Sequence, residues 1–119
     1  MEPLRAADLV ADPKHAGSLE GALHSGEAAG EGRLVRVGLW LEGERVVQAR
    51  FKATTCATLL VVAEAACRLL EAGADPRSFG APDLRRVLIG LPPFHEDRLE
   101  LVARAVRTAA LGHHPGGQP

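Results

Sequence analysis

The chain is expected to fold as an α+β domain: a small antiparallel β-sheet, a hairpin with a third strand left open, covered by helices. Two observations predict this class. Residues 33–41, RLVRVGLWL, and 45–52, RVVQARFK, are β-rich runs on either side of the charged turn Glu42-Gly43-Glu44, the pattern of a hairpin. Downstream, Cys56–Glu71 and Glu96–Leu111 carry their apolar residues at helical spacing. A sheet with one apolar face and helices with apolar stripes can bury each other.

Element by element, Pro3–Val10 reads as a short helix, and Ala11–Gly32, rich in Gly, Ala, Ser and Glu without sustained periodicity, reads as a long loop. His15 and His24 fall in that loop without spaced partners and are expected at the surface. In the hairpin, Val35, Val37, Leu39 and Leu41 share one face, with Arg36 and Trp40 on the other. Val47, Ala49 and Phe51 alternate with Gln48, Arg50 and Lys52, so one face is buried. The Cys56–Glu71 helix has a Thr-Thr N-cap candidate before it and Gly73 after it. Its polar residues Glu64, Arg68 and Glu71 are expected to form a narrow exposed stripe.

Residues 73–94 hold short helical pieces punctuated by Pro76, Gly80 and Pro82, with Pro82 placed to open the DLRRVL turn and Pro92-Pro93 ending the segment. In the last helix Leu99, Val102, Ala103, Val106, Ala109 and Ala110 share a face, leaving Arg98, Arg104 and Arg107 outside. The organisation is therefore one domain over 1–119: helix and loop to residue 32, core 33–111, and a disordered tail 112–119 in which His113 and His114 are solvated.

Composition narrows the function. A formal net charge of −1, with 24% charged residues of both signs interspersed, lacks the basic footprint of a nucleic-acid binder. The N-terminus lacks a basic segment followed by an apolar stretch, and the longest apolar run, Ala57–Leu70, is broken by Glu64 and Arg68. A soluble, cytoplasmic protein without a membrane partner is expected. No Ser-His-Asp signature, G-x-S-x-G elbow, phosphate-cradling glycine loop or paired-carboxylate motif is present, so an enzyme in its own right is not expected.

The two cysteines lie about 16 Å apart along one helix axis, beyond disulfide reach, and read as separate reduced thiols. Cys67 reads as core packing. Cys56 opens the helix, where unpaired N–H groups and the dipole favour a thiolate, and Lys52 or Arg98 can add to this. Such a thiol can receive sulfur as a persulfide or bind one metal; a small packing residue is the alternative, and both stay open.

Three strings then occur in a known order: DPKHAGSL at Asp12–Leu19, ARFKATTC at Ala49–Cys56 and LPPF at Leu91–Phe94. They resemble the N-P-x-x-x-G-x-L, A-R-F-K-x-x-G-C and L-P-P-V segments of the NifU/IscU-type iron–sulfur cluster scaffold family, nearly across the domain. The resemblance implies a SufE/NifU-like fold and a site at one end of the sheet. There the family gathers a Cys-Gly-Asp, the cysteine that opens the core helix, and a His-Cys before the last helix. The corresponding residues are Glu31-Gly32-Arg33, Cys56 and Asp97-Arg98. Cys56 alone persists.

A conventional cluster is held by four soft ligands, and guanidinium groups cannot coordinate iron. The resemblance thus implies a scaffold-like protein of iron–sulfur cluster assembly that cannot hold a conventional cluster alone. Its cofactor would be an iron–sulfur cluster, zinc or none. Its partners would be a cysteine desulfurase or other assembly proteins, with a homodimer as a further option. After Leu-Pro-Pro the family has Val-Lys where this chain has Phe94-His95, so an Hsp70-type partner is not carried over. A second reading is a mononuclear zinc or iron module using Cys56 with Glu31, Asp97 and His95. Against it, Arg33 and Arg98 can neutralise Glu31 and Asp97 in surface ion pairs. A third reading is a metal-free partner-binding homologue.

Overall fold

The computed structural model describes residues 2–54, 56–91 and 96–112. In chain order the elements are β1 (Leu4–Arg5), α1 (Ala6–Ala11), β2 (His24–Gly30), β3 (Arg33–Glu42), β4 (Arg45–Ala53), α2 (Ala57–Glu71), α3 (Ala81–Val87), β5 (Leu88–Ile89) and α4 (Glu96–Ala110). Strands β2, β3 and β4 form an antiparallel sheet in that order, and β1 pairs in parallel with β5. The expected α+β class, antiparallel sheet under helices, is the one observed.

The hairpin forms as expected, with Val35, Val37 and Leu39 facing the core from β3. One register step differs. Leu41 pairs with Val46 while Trp40 pairs with Gln48, leaving Val47 as the extra residue of a bulge. That bulge turns Val46 inward and Val47 outward, whereas strict alternation placed Val47 inside.

The third strand comes from the segment expected to be loop. HSGEAAG in β2 has no β-branched residue, and its small side chains answer to α4 rather than to strand propensity. A Cβ at Gly26 would lie 2.3 Å from the Ala109 amide nitrogen and 2.4 Å from the Ala105 carbonyl. Only glycine allows that crossing. The β2–β3 link is a two-residue turn, Glu31-Gly32, with φ of 55° and 75°, the left-handed pair that matches strand twist.

Helix α2 lies on the sheet with Leu59, Val62, Ala63, Ala66, Cys67 and Leu70 fully buried, and α4 adds Leu99, Val102, Val106 and Ala109. Its N-cap is Cys56 itself rather than the threonine pair. Thr54 instead accepts the Leu34 N–H at 3.2 Å, and Thr55 lies outside the described residues. Gly73, at φ 118°, ends the helix as expected. Pro82 falls in the first turn of α3, where the Asp83 carboxylate accepts the Gly80 N–H at 2.8 Å. Leu88–Ile89, expected as part of a helical piece, instead pairs with Leu4–Arg5.

Two surface expectations are overturned together. Glu64 is fully buried, Arg68 and Glu71 are partly covered, and His15 is buried against them. The segment 12–17 folds over the stripe: Phe51 N–H donates to the His15 carbonyl and Gly17 N–H donates to the Phe51 carbonyl, each at 3.0 Å. Burial of this carboxylate is tolerable because every charge in the cluster meets an opposite one.

Candidate functional site

Where β4 hands the chain to α2, Cys56 adopts extended backbone angles (φ −158°, ψ 112°), and its carbonyl accepts the first helical hydrogen bond, from Leu60 at 3.0 Å. Its side chain therefore sits over the first turn, beside N–H groups that no helical carbonyl reaches. The half-buried thiol makes no cap hydrogen bond, but the backbone N–H groups of Leu59 and Thr58 and the guanidinium groups of Arg33 and Arg98 all favour its thiolate form. Burial pushes this thiol up, but the Leu59 N–H, then Arg33 and Arg98, then the Thr58 N–H outweigh it and hold it below an ordinary thiol.

Each arginine comes from the end of a different element. Arg33 opens β3 directly after the Glu31-Gly32 turn, and Arg98 lies in the first turn of α4. Arg33 Nη1 donates to the Glu31 main-chain carbonyl at 3.2 Å rather than to its carboxylate. Arg98 Nη1 donates to Asp97 at 2.7 Å, with the Arg98 side chain only 13% exposed and Asp97 facing solvent. Its Nε is buried with no hydrogen-bond partner among the described residues. The pairing with Arg98 holds the Asp97 carboxyl below its ordinary value.

Sequence reasoning placed Glu31, Arg33, Cys56, Asp97 and Arg98 at one end of the sheet. The structure brings Arg33, Cys56, Asp97 and Arg98 together there, while Glu31 stands on the turn and shares a shallow recess of about 240 Å³ with Asp97 and Arg104. The expected Arg98–Asp97 ion pair forms, whereas Arg33 takes the Glu31 main chain. Lys52, the other cation expected to serve the thiol, is exposed on β4 opposite Arg36. His95, proposed as a zinc ligand, lies outside the described residues, as do His113 and His114. Among the described residues no three His, Cys, Asp or Glu side chains gather as a metal-ligand group.

Arg33 was missed as a thiol partner. The two-residue Glu31-Gly32 signal would have found it, because such a turn fixes the first residue of the next strand at the end of the sheet. Among the described residues, one soft donor beside two cationic guanidinium groups does not fit an iron–sulfur cluster, and it does fit an anion on sulfur. Cys67, as expected, is fully buried, and burial raises its thiol well above the ordinary value.

No family model and no curated protein matches the sequence. Solved structures do match in fold. An iron–sulfur cluster assembly scaffold protein for the SUF system from Fervidobacterium islandicum AW-1 superposes with a TM-score of 0.68 at 14% identity, covering 88% of this chain and 93% of that one. A hypothetical protein solved at 2.3 Å superposes with a TM-score of 0.53 at 16% identity, covering 90% and 87%. The α+β architecture is thus that of the SUF scaffold. Among the described residues no helix is long and apolar enough to cross a membrane.

Proposed function

We propose that this domain serves iron–sulfur cluster assembly as a scaffold-related sulfur carrier, in which one thiolate stands where the NifU/IscU-type scaffold has a full ligand set. The convergence of Arg33 and Arg98 on Cys56 at the start of α2 carries the reading. The fold held in common with the SUF scaffold supports the general role.

The donor set then selects among the tasks such a fold performs. Caging a cluster asks for four soft ligands, and among the described residues this end of the sheet supplies one with two cations that repel iron. Accepting sulfur asks for a nucleophilic thiolate and a place for the anion it becomes. The Cys56 thiolate attacks the terminal sulfur of a persulfide presented by a partner, for which a cysteine desulfurase has the right chemistry. A new S–S bond forms at Cys56, the partner's S–S bond breaks, and the partner leaves as a thiolate that takes a proton from solvent. The sulfane sulfur carries its oxidation level with it, so no external oxidant is consumed. Arg33, Arg98 and the Thr58 and Leu59 N–H groups would then face the persulfide anion. The domain acts as a carrier in a cytoplasmic pathway rather than as an enzyme.

The test is mass spectrometry of the full chain after incubation with a cysteine desulfurase and cysteine. Cys56 gains one reducible sulfur atom, and Cys56→Ser gains none. A wild-type chain that stays unmodified while the desulfurase turns over contradicts the reading. The metal-free partner-binding alternative predicts instead that Cys56→Ala binds the same partner as tightly and performs the same role.

A further inference from the structure

Away from the Cys56 end, His15 occupies a position that its ring chemistry restricts to one protonation state. Nδ1 lies 2.6 Å from Glu64 Oε2, and Nε2 lies 2.8 Å from Glu71 Oε1. A neutral imidazole carries one N–H and one lone pair, so one of these contacts would set a lone pair against a carboxylate oxygen. Only the imidazolium donates to both. The two nitrogens point in opposite directions along the ring, so the three side chains bridge rather than converge, in keeping with the absence of a metal-ligand group among the described residues.

The same carboxylates finish the exposed edge of the sheet. Strand β4 pairs with β3 on one side, and its other side would leave main-chain groups open to a further strand. The Ala49 N–H donates to Glu71 Oε2 at 2.8 Å, the Phe51 N–H donates to the His15 carbonyl, and the Phe51 carbonyl accepts from Gly17. Residue 16 makes an isolated parallel bridge with Phe51. Among the described residues the charged groups on the ring are Glu64 and Glu71 of α2, each paired in turn with a cation, Arg68 of α2 and Arg50 of β4, while Asp12 and Lys14 of its own segment pair with each other at the surface. Arg68 Nε donates to Glu64 at 2.7 Å while its Nη2 donates to the Asp12 carbonyl at 3.1 Å. Arg50 Nη1 donates to Glu71 at 3.2 Å.

We propose that His15 is a charged clasp: an imidazolium between Glu64 and Glu71 that holds residues 12–17 over the open edge of β4 and lets that edge open when the ring loses its proton. The clasp is independent of the sulfur-carrier reading. Glu64 most of all, then Glu71 against the opposing effect of burial, raises the ring's affinity for its proton, so release comes at higher pH than for a free imidazole. The strand it covers ends at Ala53, shortly before Cys56 in the sequence.

The experiment is NMR on the full chain with labelled imidazole nitrogens and amides, titrated from mildly acidic to alkaline pH. At neutral pH both His15 ring nitrogens carry protons. As the ring titrates, the Phe51 and Gly17 amides lose protection, measured against the intrinsic exchange rate at each pH. Glu71→Gln moves both events together to lower pH. His15→Gln, which can donate to one carboxylate only, leaves both amides unprotected throughout; should it fail to fold, Glu71→Gln decides. A neutral ring at neutral pH overturns the proposal, as does a ring that titrates without any change at Phe51 and Gly17.

Discussion

Arg98 is paired with Asp97 at 2.7 Å, and its charge also favours the thiolate of Cys56, so a cation from the last helix acts on the residue that caps the core helix. The consequence is a thiol that ionises more readily than a free one. Alkylation of Cys56 by iodoacetamide, followed against pH, therefore has its midpoint below that of a free cysteine, and Cys67, fully buried, stays unmodified in the folded chain.

Neutralising either arginine reverses part of that effect. Arg33→Gln and Arg98→Gln each lower the alkylation rate at neutral pH several-fold, and the double variant lowers it further, because each removes one cation facing the thiolate. Thermal unfolding of both single variants stays close to wild type, which separates an electrostatic role from a structural one. An unchanged rate in the double variant contradicts the assignment.

Glu64 is a costly charge to disturb. It is fully buried and accepts the His15 N–H at 2.8 Å, the His15 ring and Arg68. Glu64→Ala leaves an imidazolium and a guanidinium without their shared partner, and a loss of about 3–5 kcal/mol is expected in denaturant unfolding.

The same cluster sets a pH window. His15 has its proton affinity raised by folding, so its contribution is complete below the unfolded value of about 6.5 and disappears as pH rises through the folded one. In Glu64 and Glu71 burial is outweighed by their hydrogen bonds, so both are lowered. Their contribution is complete above the unfolded value of about 4.3 and disappears as pH falls through the folded values. Urea unfolding across pH should show the wild-type advantage over His15→Gln largest between these two unfolded values.

Gly26 tests the crossing of β2 and α4. Gly26→Ala drives a methyl into the backbone at Ala105 and Ala109, and a loss of about 1–3 kcal/mol or more is expected, since neither neighbour is a flexible side chain. Gly17→Ala is the control: nothing lies within 4 Å of its added Cβ, and it should unfold at nearly the wild-type midpoint.

Legibility followed how local each signal was. The hairpin, α2 and α4 could be read because their apolar spacing is carried by residues that pack on one another. Strand β2 could not, because its small residues are selected by the approach of α4, a partner distant in sequence. Glu64 looked like an exposed stripe for the same reason. Charge at helical spacing reads as solvated unless the counter-charge is known, and that counter-charge is His15, separated from it in the sequence by all of β2, β3 and β4. At that end of the sheet, Cys56 and Arg98 are legible as thiol and cation, while Arg33 depends on a turn whose left-handed pair is a property of the backbone rather than of apolar spacing.

The central claim is that one thiolate held by cations carries sulfur where a caged cluster would need more soft donors. Anaerobic reconstitution of the full chain with ferrous iron and sulfide, read by visible absorption and an iron count after desalting, tests it most directly. A colourless monomer without retained iron is the predicted result. A coloured product that holds iron and loses it in Cys56→Ser, including a dimer bridged through Cys56 of two chains, would contradict it.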